Sequence, residues 1–238
     1  MRRGIARDRY NAFTNKPVQK QEKIRRKVGL RFKAFVQCHC PSGHPARARE
    51  KERNISLVAS IASFFSDKSD RWQPKDFHFT HSGESVIAEV NALRPRFVVD
   101  VGCGYNLLKG RIPNLIGIDV VNSRADLICD MLKAPLAAAA FDVALAMGSI
   151  NFGGEDLIKT QIVKVLSWLK PGGRLFMRVN PNALTSTIQY FPWTHRKITE
   201  FTDLFRLDLE RGIVDDRDVL AATPQDGLRY YFRWRKPH

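Results

Sequence analysis

The sequence predicts a doubly wound α/β domain with a mostly parallel sheet, preceded by a basic helical extension. Two observations predict the domain: apolar, β-branched runs alternate with amphipathic stretches beyond residue 76, and a turn with two glycines follows the first run. The distribution of charge separates the extension from the domain. We therefore expect residues 1–75 to form the extension and residues 76–238 to form the domain.

Positive charge is concentrated in the first third of the chain. The 238 residues include 39 Lys and Arg and 24 Asp and Glu, a formal charge of +15. Residues 1–75 hold 19 Lys and Arg against 6 Asp and Glu, which leaves +13, whereas residues 76–238 hold 20 against 18, which leaves +2. This asymmetry is typical of a segment that meets a polyanion or an anionic membrane, although a solvated arm shows it too. We expect RNA, DNA or a nucleoprotein as its partner.

Two helices are predicted within the extension. Residues 17–36 carry apolar side chains at helical spacing among Lys and Arg, and residues 46–65 are charged first and apolar later. The turn-rich break between them holds four residues of types that bind zinc, Cys38, His39, Cys40 and His44. A Cys-x-Cys spacing differs from that of ordinary zinc sites, so we predict that they bind no metal.

Three features of the sequence predict where the protein resides. Residues 1–33 lack the apolar core of a secretory signal, and the longest apolar stretch, residues 134–148, is too short to span a bilayer. The four cysteines form no disulfide framework, which favours a reducing compartment. We expect a cytoplasmic protein without a transmembrane segment; the Arg-rich start leaves an organelle matrix as the alternative. Nothing in the sequence indicates an oligomeric state.

The domain is predicted to alternate helices and strands. It begins with a helix over residues 82–93, and a second helix over residues 155–169 has acids in its first turn and a stop at Pro171-Gly172-Gly173. The runs expected to form strands are 97–101, 115–121, 125–129, 141–147, 174–179, 205–211 and 228–235. The first five are apolar on both faces, which is typical of parallel strands that helices cover.

Glycines and acids at the predicted strand ends indicate a nucleotide-like ligand. Gly102 and Gly104 follow the first strand and let the backbone approach a ligand closely. Asp119 ends the second strand, where a carboxylate can accept from both hydroxyls of a ribose. Asp130 follows the third strand and can accept from an exocyclic amine such as adenine N6. Asp100, at the junction of strand and loop, suits a cationic amino group.

These acids distinguish between two cofactors. A dinucleotide site has a third glycine where this chain has Leu107, and the negative Asp100 would repel a pyrophosphate. S-adenosylmethionine has a ribose, an adenine and an amino acid but no phosphate, so it matches all three acids. We therefore predict S-adenosylmethionine as the cofactor. The alternative for each acid taken singly is a helix cap or a turn residue.

The segment Asp100-Val101-Gly102-Cys103-Gly104, taken with Asp119, Asp130 and the turn at 169–173, resembles the class I methyltransferase family. The resemblance covers about residues 79–236. It implies a seven-stranded sheet whose last strand, residues 228–235, is antiparallel. The stretches that are also similar to small methyltransferase-like proteins of marine phages are 144–152, 178–181 and 191–193.

The resemblance also implies roles for individual residues. Asp100 and the Gly102–Gly104 loop would hold the methionine end of the cofactor, and Asp119 and Asp130 would hold the ribose and the adenine. The backbone N–H of Met131 would face the ring. The chain departs from the family at position 106, where Asn106 replaces the usual glycine. Asparagine tolerates unusual φ values better than most residues, so we still expect the cofactor to bind.

The methyl acceptor is expected at the carboxyl end of the fourth strand. Met147 is placed beside the methyl group, and Ser149 and Asn151 are predicted to position the substrate, because alignment is the main contribution to methyl transfer. No catalytic base is identifiable from the sequence. The predicted function is methyl transfer to nucleic acid or a nucleoprotein. The alternatives are a small-molecule or protein methyltransferase, and a non-catalytic structural or RNA-binding component with the same fold.

Overall fold

The computed structural model describes residues 57–63, 65, 86–181, 190–217 and 228–238. Within the predicted helix 46–65, residues 57–63 and 65 are helical. The predicted helix 17–36, the rest of the basic extension and the group of Cys38, His39, Cys40 and His44 lie outside the described residues. In the described part of the chain, no helix is both long enough and apolar enough to cross a membrane.

From residue 86 onward the described residues form seven strands, three α-helices and one 3-10 helix. In chain order these are α1 (Ile87–Ala92), β1 (Val98–Val101), β2 (Leu115–Asp119), β3 (Leu127–Ile128), the 3-10 helix (Met131–Lys133), β4 (Phe141–Ala146), α2 (Glu155–Trp168), β5 (Leu169–Val179), α3 (His195–Leu204), β6 (Asp208–Arg217) and β7 (Leu228–Arg235). The seven predicted strands are all present, and β7 has the predicted bounds at both ends.

The strands form one sheet in the order β3-β2-β1-β4-β5-β7-β6. Strands β1 to β5 pair in parallel, and β7 runs antiparallel to both β5 and β6. The order reverses between β1 and β4, so a ligand crevice is expected outside the carboxyl ends of these two strands. The predicted doubly wound sheet with an antiparallel last strand is confirmed.

Two apolar clusters cover the two faces of the sheet. Ile158 of α2 and Phe201 of α3 are buried in one cluster, and Val90 of α1 is buried in the other. Alternate residues of β7 take part in both, because Phe232 lies in the first cluster and Tyr231 in the second. The central strands are therefore buried on both faces, which is why their sequences read as continuous apolar runs.

Helix α3 was not predicted from the sequence. The hydroxyl oxygen of Thr194 accepts a hydrogen bond from the backbone N–H of Lys197 at 3.1 Å and so caps the first turn of the helix. Ile198 and Phe201 form its buried face. The sequence does hold a signal for this helix, a capping threonine followed by apolar residues four and seven positions later. Two apolar residues are too few to establish a helical period.

The Pro171-Gly172-Gly173 segment is an irregular part of β5 and does not separate helix from strand. Helix α2 ends at Trp168, β5 begins at the next residue, and the pairing of β5 with β4 shifts register between 169 and 174. The Nζ of Lys236 donates to the carbonyls of Leu166 and Leu169 at 3.0 and 2.9 Å. The ammonium group of Lys236 therefore binds carbonyls at the end of α2. The sequence had predicted that a turn ends this helix.

Candidate cofactor and acceptor site

The glycine loop after β1 is held against β2 by its own backbone. The N–H groups of Gly102 and Cys103 both donate to the carbonyl of Ile118, at 2.8 and 3.0 Å. Gly102 and Gly104 have φ values of +70° and +52°, a region that favours glycine. A Cβ on Gly102 would overlap the Cβ of Ser149, whereas a Cβ on Gly104 would meet no heavy atom within 4 Å. The loop is therefore tightly packed against Ser149 at Gly102, and it has open space beside Gly104.

The carboxylate of Asp119 ties the end of β2 to this loop. Its Oδ2 accepts the N–H of Gly104 at 3.0 Å, and its Oδ1 accepts the N–H groups of Val121 and Asn122 at 2.9 Å each. A carboxylate has about four acceptor positions, so about one is left for a ligand hydroxyl. The backbone contacts of Asp119 are therefore observed, and its contact with a ribose stays a prediction.

The carboxylate of Asp100 is buried without a partner. The residue is 3% exposed, and its side chain makes no hydrogen bond with any described residue. Burial, and then the charge of Asp119, raise its pKa to about 7. Burial, and then the charges of Asp100 and Asp119, raise the pKa of the Cys103 thiol, which stays neutral. A cationic ligand group beside Asp100 would offset the cost of its buried charge.

Asp130 and Met131 follow β3 at the same edge of the sheet. The Oδ1 of Asp130 accepts the N–H of Leu132 at 3.0 Å and caps the 3-10 helix. Met131 is 9% exposed and packs in the larger apolar cluster. Both residues therefore lie just beyond β3, which pairs with the end of β2, and their contact with an adenine stays a prediction.

The loop after β4 brings the predicted acceptor residues against the glycine loop. Met147 is half-buried, and Ser149 lies behind Gly102 with its Oγ buried and without a hydrogen-bond partner among the described residues. Asn151 is fully buried. Its Nδ2 donates to the carbonyl of Gly148 at 2.8 Å, and its Oδ1 accepts the N–H of Asn180 at 3.0 Å. Both groups of the Asn151 amide therefore join the carboxyl ends of β4 and β5.

Sequence analysis did not identify Asp126, which holds the loop after β1 in place. Residues 105–112 form a series of turns. Within them the Nδ2 of Asn106, a residue at φ +56°, donates to the carbonyl of Arg124 at 3.0 Å and to Asp126 at 3.3 Å. The same carboxylate accepts the N–H of Gly117 at 2.9 Å and pairs with Lys109. These bonds join the turns after β1 to β2 and to the residues just before β3.

Sequence analysis also missed two ring contacts and one pair of charged side chains. The ring of Tyr190 is 4.8 Å from that of Phe152, and the ring of Tyr230 is 4.4 Å from that of His195. The Nε2 of His195 lies 3.3 Å from the Oδ1 of Asp215. These residues come from four separate segments, so their spacing in the sequence gives no signal. No cluster of metal-binding side chains occurs among the described residues.

The sequence matches no family model and no curated protein. The fold is similar to that of a Burkholderia thailandensis 1,6-didemethyltoxoflavin-N1-methyltransferase, with a TM-score of 0.59, 16% identity, and coverage of 86% of this chain and 99% of that chain. For the N-methyltransferase NodS from Bradyrhizobium japonicum WM9 the corresponding values are 0.57, 17%, 76% and 100%.

A third similar structure is the magnesium protoporphyrin IX methyltransferase from Synechocystis PCC 6803, with a TM-score of 0.56, 13% identity, and coverage of 75% of this chain and 96% of that chain. The first two structures contain S-adenosylhomocysteine and the third contains S-adenosylmethionine. At these identities the likeness is one of fold, and it agrees with the strand order described above. This chain has the fold of the class I S-adenosylmethionine-dependent methyltransferases.

Proposed function

We propose that this chain binds S-adenosylmethionine and transfers its methyl group to nucleic acid or a nucleoprotein. The observation that supports S-adenosylmethionine as the cofactor is the Asp100 carboxylate. It is buried and makes no hydrogen bond at the end of β1, beside an open glycine loop. An acid of this kind is stabilised by a cation and repels a phosphate. The α-amino group of S-adenosylmethionine supplies that cation, whereas a dinucleotide would bring a pyrophosphate to the same place.

The residues that would hold the cofactor are those at the carboxyl ends of β1 to β4. Asp100 and the loop from Gly102 to Gly104 would bind the methionine end, Asp119 the ribose, and Asp130 with Met131 the adenine. Met147 would lie beside the sulfonium. When bound, the cofactor supplies an electrophilic methyl group, and the protein's part is to align it with the acceptor.

The acceptor class is proposed from charge. Residues 1–75 carry +13 and the rest of the chain +2, and a segment of this kind favours a polyanion. A second candidate is a small-molecule acceptor, because two of the similar structures are methyltransferases named for small molecules, 1,6-didemethyltoxoflavin and magnesium protoporphyrin IX. In the third alternative, a non-catalytic structural or RNA-binding component, the protein would bind the cofactor without transferring its methyl group.

Calorimetry with S-adenosylhomocysteine tests the cofactor. We expect binding by the unaltered protein, and a loss of about tenfold or more in affinity for Asp100→Asn, because a charge-assisted hydrogen bond is worth about 1.5–3 kcal/mol. The matched control is Asp203→Asn, an exposed acid in α3, which we expect to bind as the unaltered protein does. Binding of NADH in place of S-adenosylhomocysteine would overturn the proposal.

Transfer of labelled methyl groups to separate RNA, DNA, protein and small-molecule pools tests the acceptor. Label in RNA, DNA or a nucleoprotein supports the first candidate, and label confined to small molecules supports the second. Cofactor binding without label in any pool would support the non-catalytic alternative. The pool that takes up most of the label therefore decides between these candidates.

Salt titration tests the role of the extension. We expect deletion of residues 1–36 to weaken nucleic-acid binding and, if about four phosphates are contacted, a slope of log K against log salt near −3 to −4 for the intact protein. The control replaces four exposed cations of the domain by glutamine, Arg94, Arg96, Lys133 and Arg196. Unchanged affinity after the deletion, or preferential binding to acidic liposomes, would contradict the nucleic-acid proposal.

A further inference from the structure

We propose that Tyr190 and Asn180 bind the methyl acceptor, and that the group they bind is a planar, uncharged ring such as a nucleobase. The inference rests on the proposed methyl transfer and names the chemical class of its acceptor. Three observations support it. The two residues lie beside the loop after β4, their side chains hold hydrogen-bonding groups without a partner, and the loops after β4 and β5 carry no charged residue in the sequence.

Both residues are held beside the loop after β4 through Asn151. The backbone N–H of Asn180 donates to the Oδ1 of Asn151 at 3.0 Å. The N–H of Phe191 donates to the backbone carbonyl of Asn151 at 2.8 Å, and the preceding residue, Tyr190, pairs with Phe152 in an isolated antiparallel bridge. Asn180 and Tyr190 therefore both adjoin the loop that follows β4, where the acceptor is expected.

The ring of Tyr190 is half-buried and supported by other rings. Its centroid is 4.8 Å from that of Phe152, which in turn meets Phe65 edge-on at 5.8 Å. Burial raises the pKa of Tyr190, and the charge of Arg229 partly offsets that rise, so the phenol is neutral. Its hydroxyl makes no hydrogen bond with any described residue. Tyr190 therefore offers a ligand both a fixed aromatic ring and a neutral hydroxyl.

The side-chain amide of Asn180 also lacks a partner. The residue is half-buried, and only its backbone N–H is hydrogen-bonded within the described part of the chain. An amide presents an acceptor and two donors side by side, which matches the neutral donor and acceptor edge of a heterocycle. The loop after β4 is itself open at Gly148, which has a φ of +121° and where a Cβ would meet no heavy atom within 4 Å.

The sequence of the loops after β4 and β5 favours an uncharged ligand group. Residues 147–154 and 180–194 contain no Asp, Glu, Lys, Arg or His, although charged residues make up 26% of the chain. Burial of an ionised group without an opposite charge is costly, whereas a neutral polar group needs only hydrogen bonds. These loops therefore suit a neutral ring better than a carboxylate or a phosphate. The phosphates of a nucleic acid would instead meet the basic extension, residues 1–75.

A planar, uncharged ring can come from two sources, a base of single-stranded nucleic acid or a free heterocyclic compound. The fluorescent base 2-aminopurine distinguishes them, because its fluorescence changes when it stacks on an aromatic ring. It is presented to the full-length protein with S-adenosylhomocysteine, once within a single-stranded oligonucleotide and once as the free riboside. We expect a fluorescence change with at least one of the two probes, and the probe that gives it identifies the source.

Three substitutions at Tyr190 separate stacking from the filling of space. We expect Tyr190→Ala to weaken the binding that changes the fluorescence by about tenfold or more, with affinity for S-adenosylhomocysteine unchanged. Tyr190→Phe should keep most of this binding, whereas Tyr190→Leu should behave like the alanine variant. The matched control is Phe205→Ala, a half-buried ring that contacts Phe201 and lies near Asp208, at the opposite end of the sheet. It should leave the binding unchanged.

Asn180→Ala tests the contact with the edge of the ring. The backbone bond to Asn151 is kept, so we expect the fold to persist and the binding to weaken roughly threefold to tenfold. The control is Asn91→Ala, an exposed amide of α1 that donates to the carbonyl of Arg111. In the methyl-transfer assay, Tyr190→Ala and Asn180→Ala should raise KM for the acceptor and leave KM for S-adenosylmethionine unchanged. A general loss of the fold would not produce this difference.

Three results would overturn the inference while the cofactor proposal stands. The first is no fluorescence change with either probe in a protein that binds S-adenosylhomocysteine. The second is equal binding by Tyr190→Leu and Tyr190→Phe, which would show that Tyr190 only fills space. The third is the same loss in Tyr190→Ala and Phe205→Ala, which would indicate general destabilisation. Failure of the unaltered protein to bind S-adenosylhomocysteine would instead remove the proposed function and the inference together.

Discussion

The carboxylate of Asp119 accepts the backbone N–H of Gly104 at 3.0 Å and so joins the end of β2 to the glycine loop after β1. Two further N–H groups, from Val121 and Asn122, bind its other oxygen. The side chain predicted to bind the ribose therefore also shapes the loop predicted to bind the methionine end. Changes at Asp119 should affect both parts of the site at once.

We expect Asp119→Ala to weaken binding of S-adenosylhomocysteine by about tenfold or more, because charge-assisted hydrogen bonds worth about 1.5–3 kcal/mol each are lost. Asp119→Asn keeps one carbonyl oxygen and should have a smaller effect. Calorimetry measures both, with the exposed Asp203→Asn as control. Equal affinity of Asp119→Ala and the unaltered protein would refute the placement of the ribose.

Asp100 makes stability depend on pH. Its pKa is about 7 in the folded protein against an ordinary value of 3.8, so the folded state binds more protons than the unfolded state between these values. Its contribution to the free energy of unfolding therefore decreases as pH rises from about 4 to 7 and stays low above that.

We expect Asp100→Asn to stabilise the ligand-free protein at pH 8, by up to about 4 kcal/mol, and to have little effect near pH 4. Urea denaturation at the two pH values measures the difference. The same variant should bind S-adenosylhomocysteine more weakly, so stability and affinity should change in opposite directions. A variant no more stable at pH 8 than the unaltered protein would contradict the buried, unpartnered carboxylate.

Gly102 and Gly104 should respond differently to alanine. Both have positive φ, which costs an alanine roughly 1–2 kcal/mol, but only at Gly102 would the new Cβ also overlap Ser149. We expect Gly102→Ala to lower the melting temperature further than Gly104→Ala does. Gly104→Ala places its methyl group in the open space in front of the loop, so it should lower cofactor affinity while the fold is kept. Equal loss of stability in both variants would contradict the packing described for the loop.

Asn151 should contribute to stability through its two buried hydrogen bonds. Asn151→Ala leaves the carbonyl of Gly148 and the N–H of Asn180 without their partner, at about 1–3 kcal/mol each. We expect a loss of roughly 2–4 kcal/mol in urea denaturation. The control is Asn91→Ala, an exposed residue with one bond to the carbonyl of Arg111. If both variants lose the same small amount, the β4 and β5 ends are not held by Asn151.

Much of the fold could be predicted because its signals are local. Strand β7 was predicted with both bounds because alternate residues, such as Phe232 and Tyr231, face two different apolar clusters. Helix α3 was missed because only Ile198 and Phe201 mark its buried face in a short stretch. The segment at 171–173 was misinterpreted because proline and glycine end helices and also interrupt strands, and only the pairing of β5 with β4 distinguishes the two.

The sequence by itself determined the order of strands and helices, the glycine loop and the acids predicted for the cofactor, because each depends on residues close together in the chain. Only the tertiary structure decided which side chains share an environment. It left Asp100 buried without a partner, joined Asp119 to Gly104, and brought Asp215 to His195. Contacts of this kind depend on where strands lie in the sheet, and no periodicity along the chain records that position.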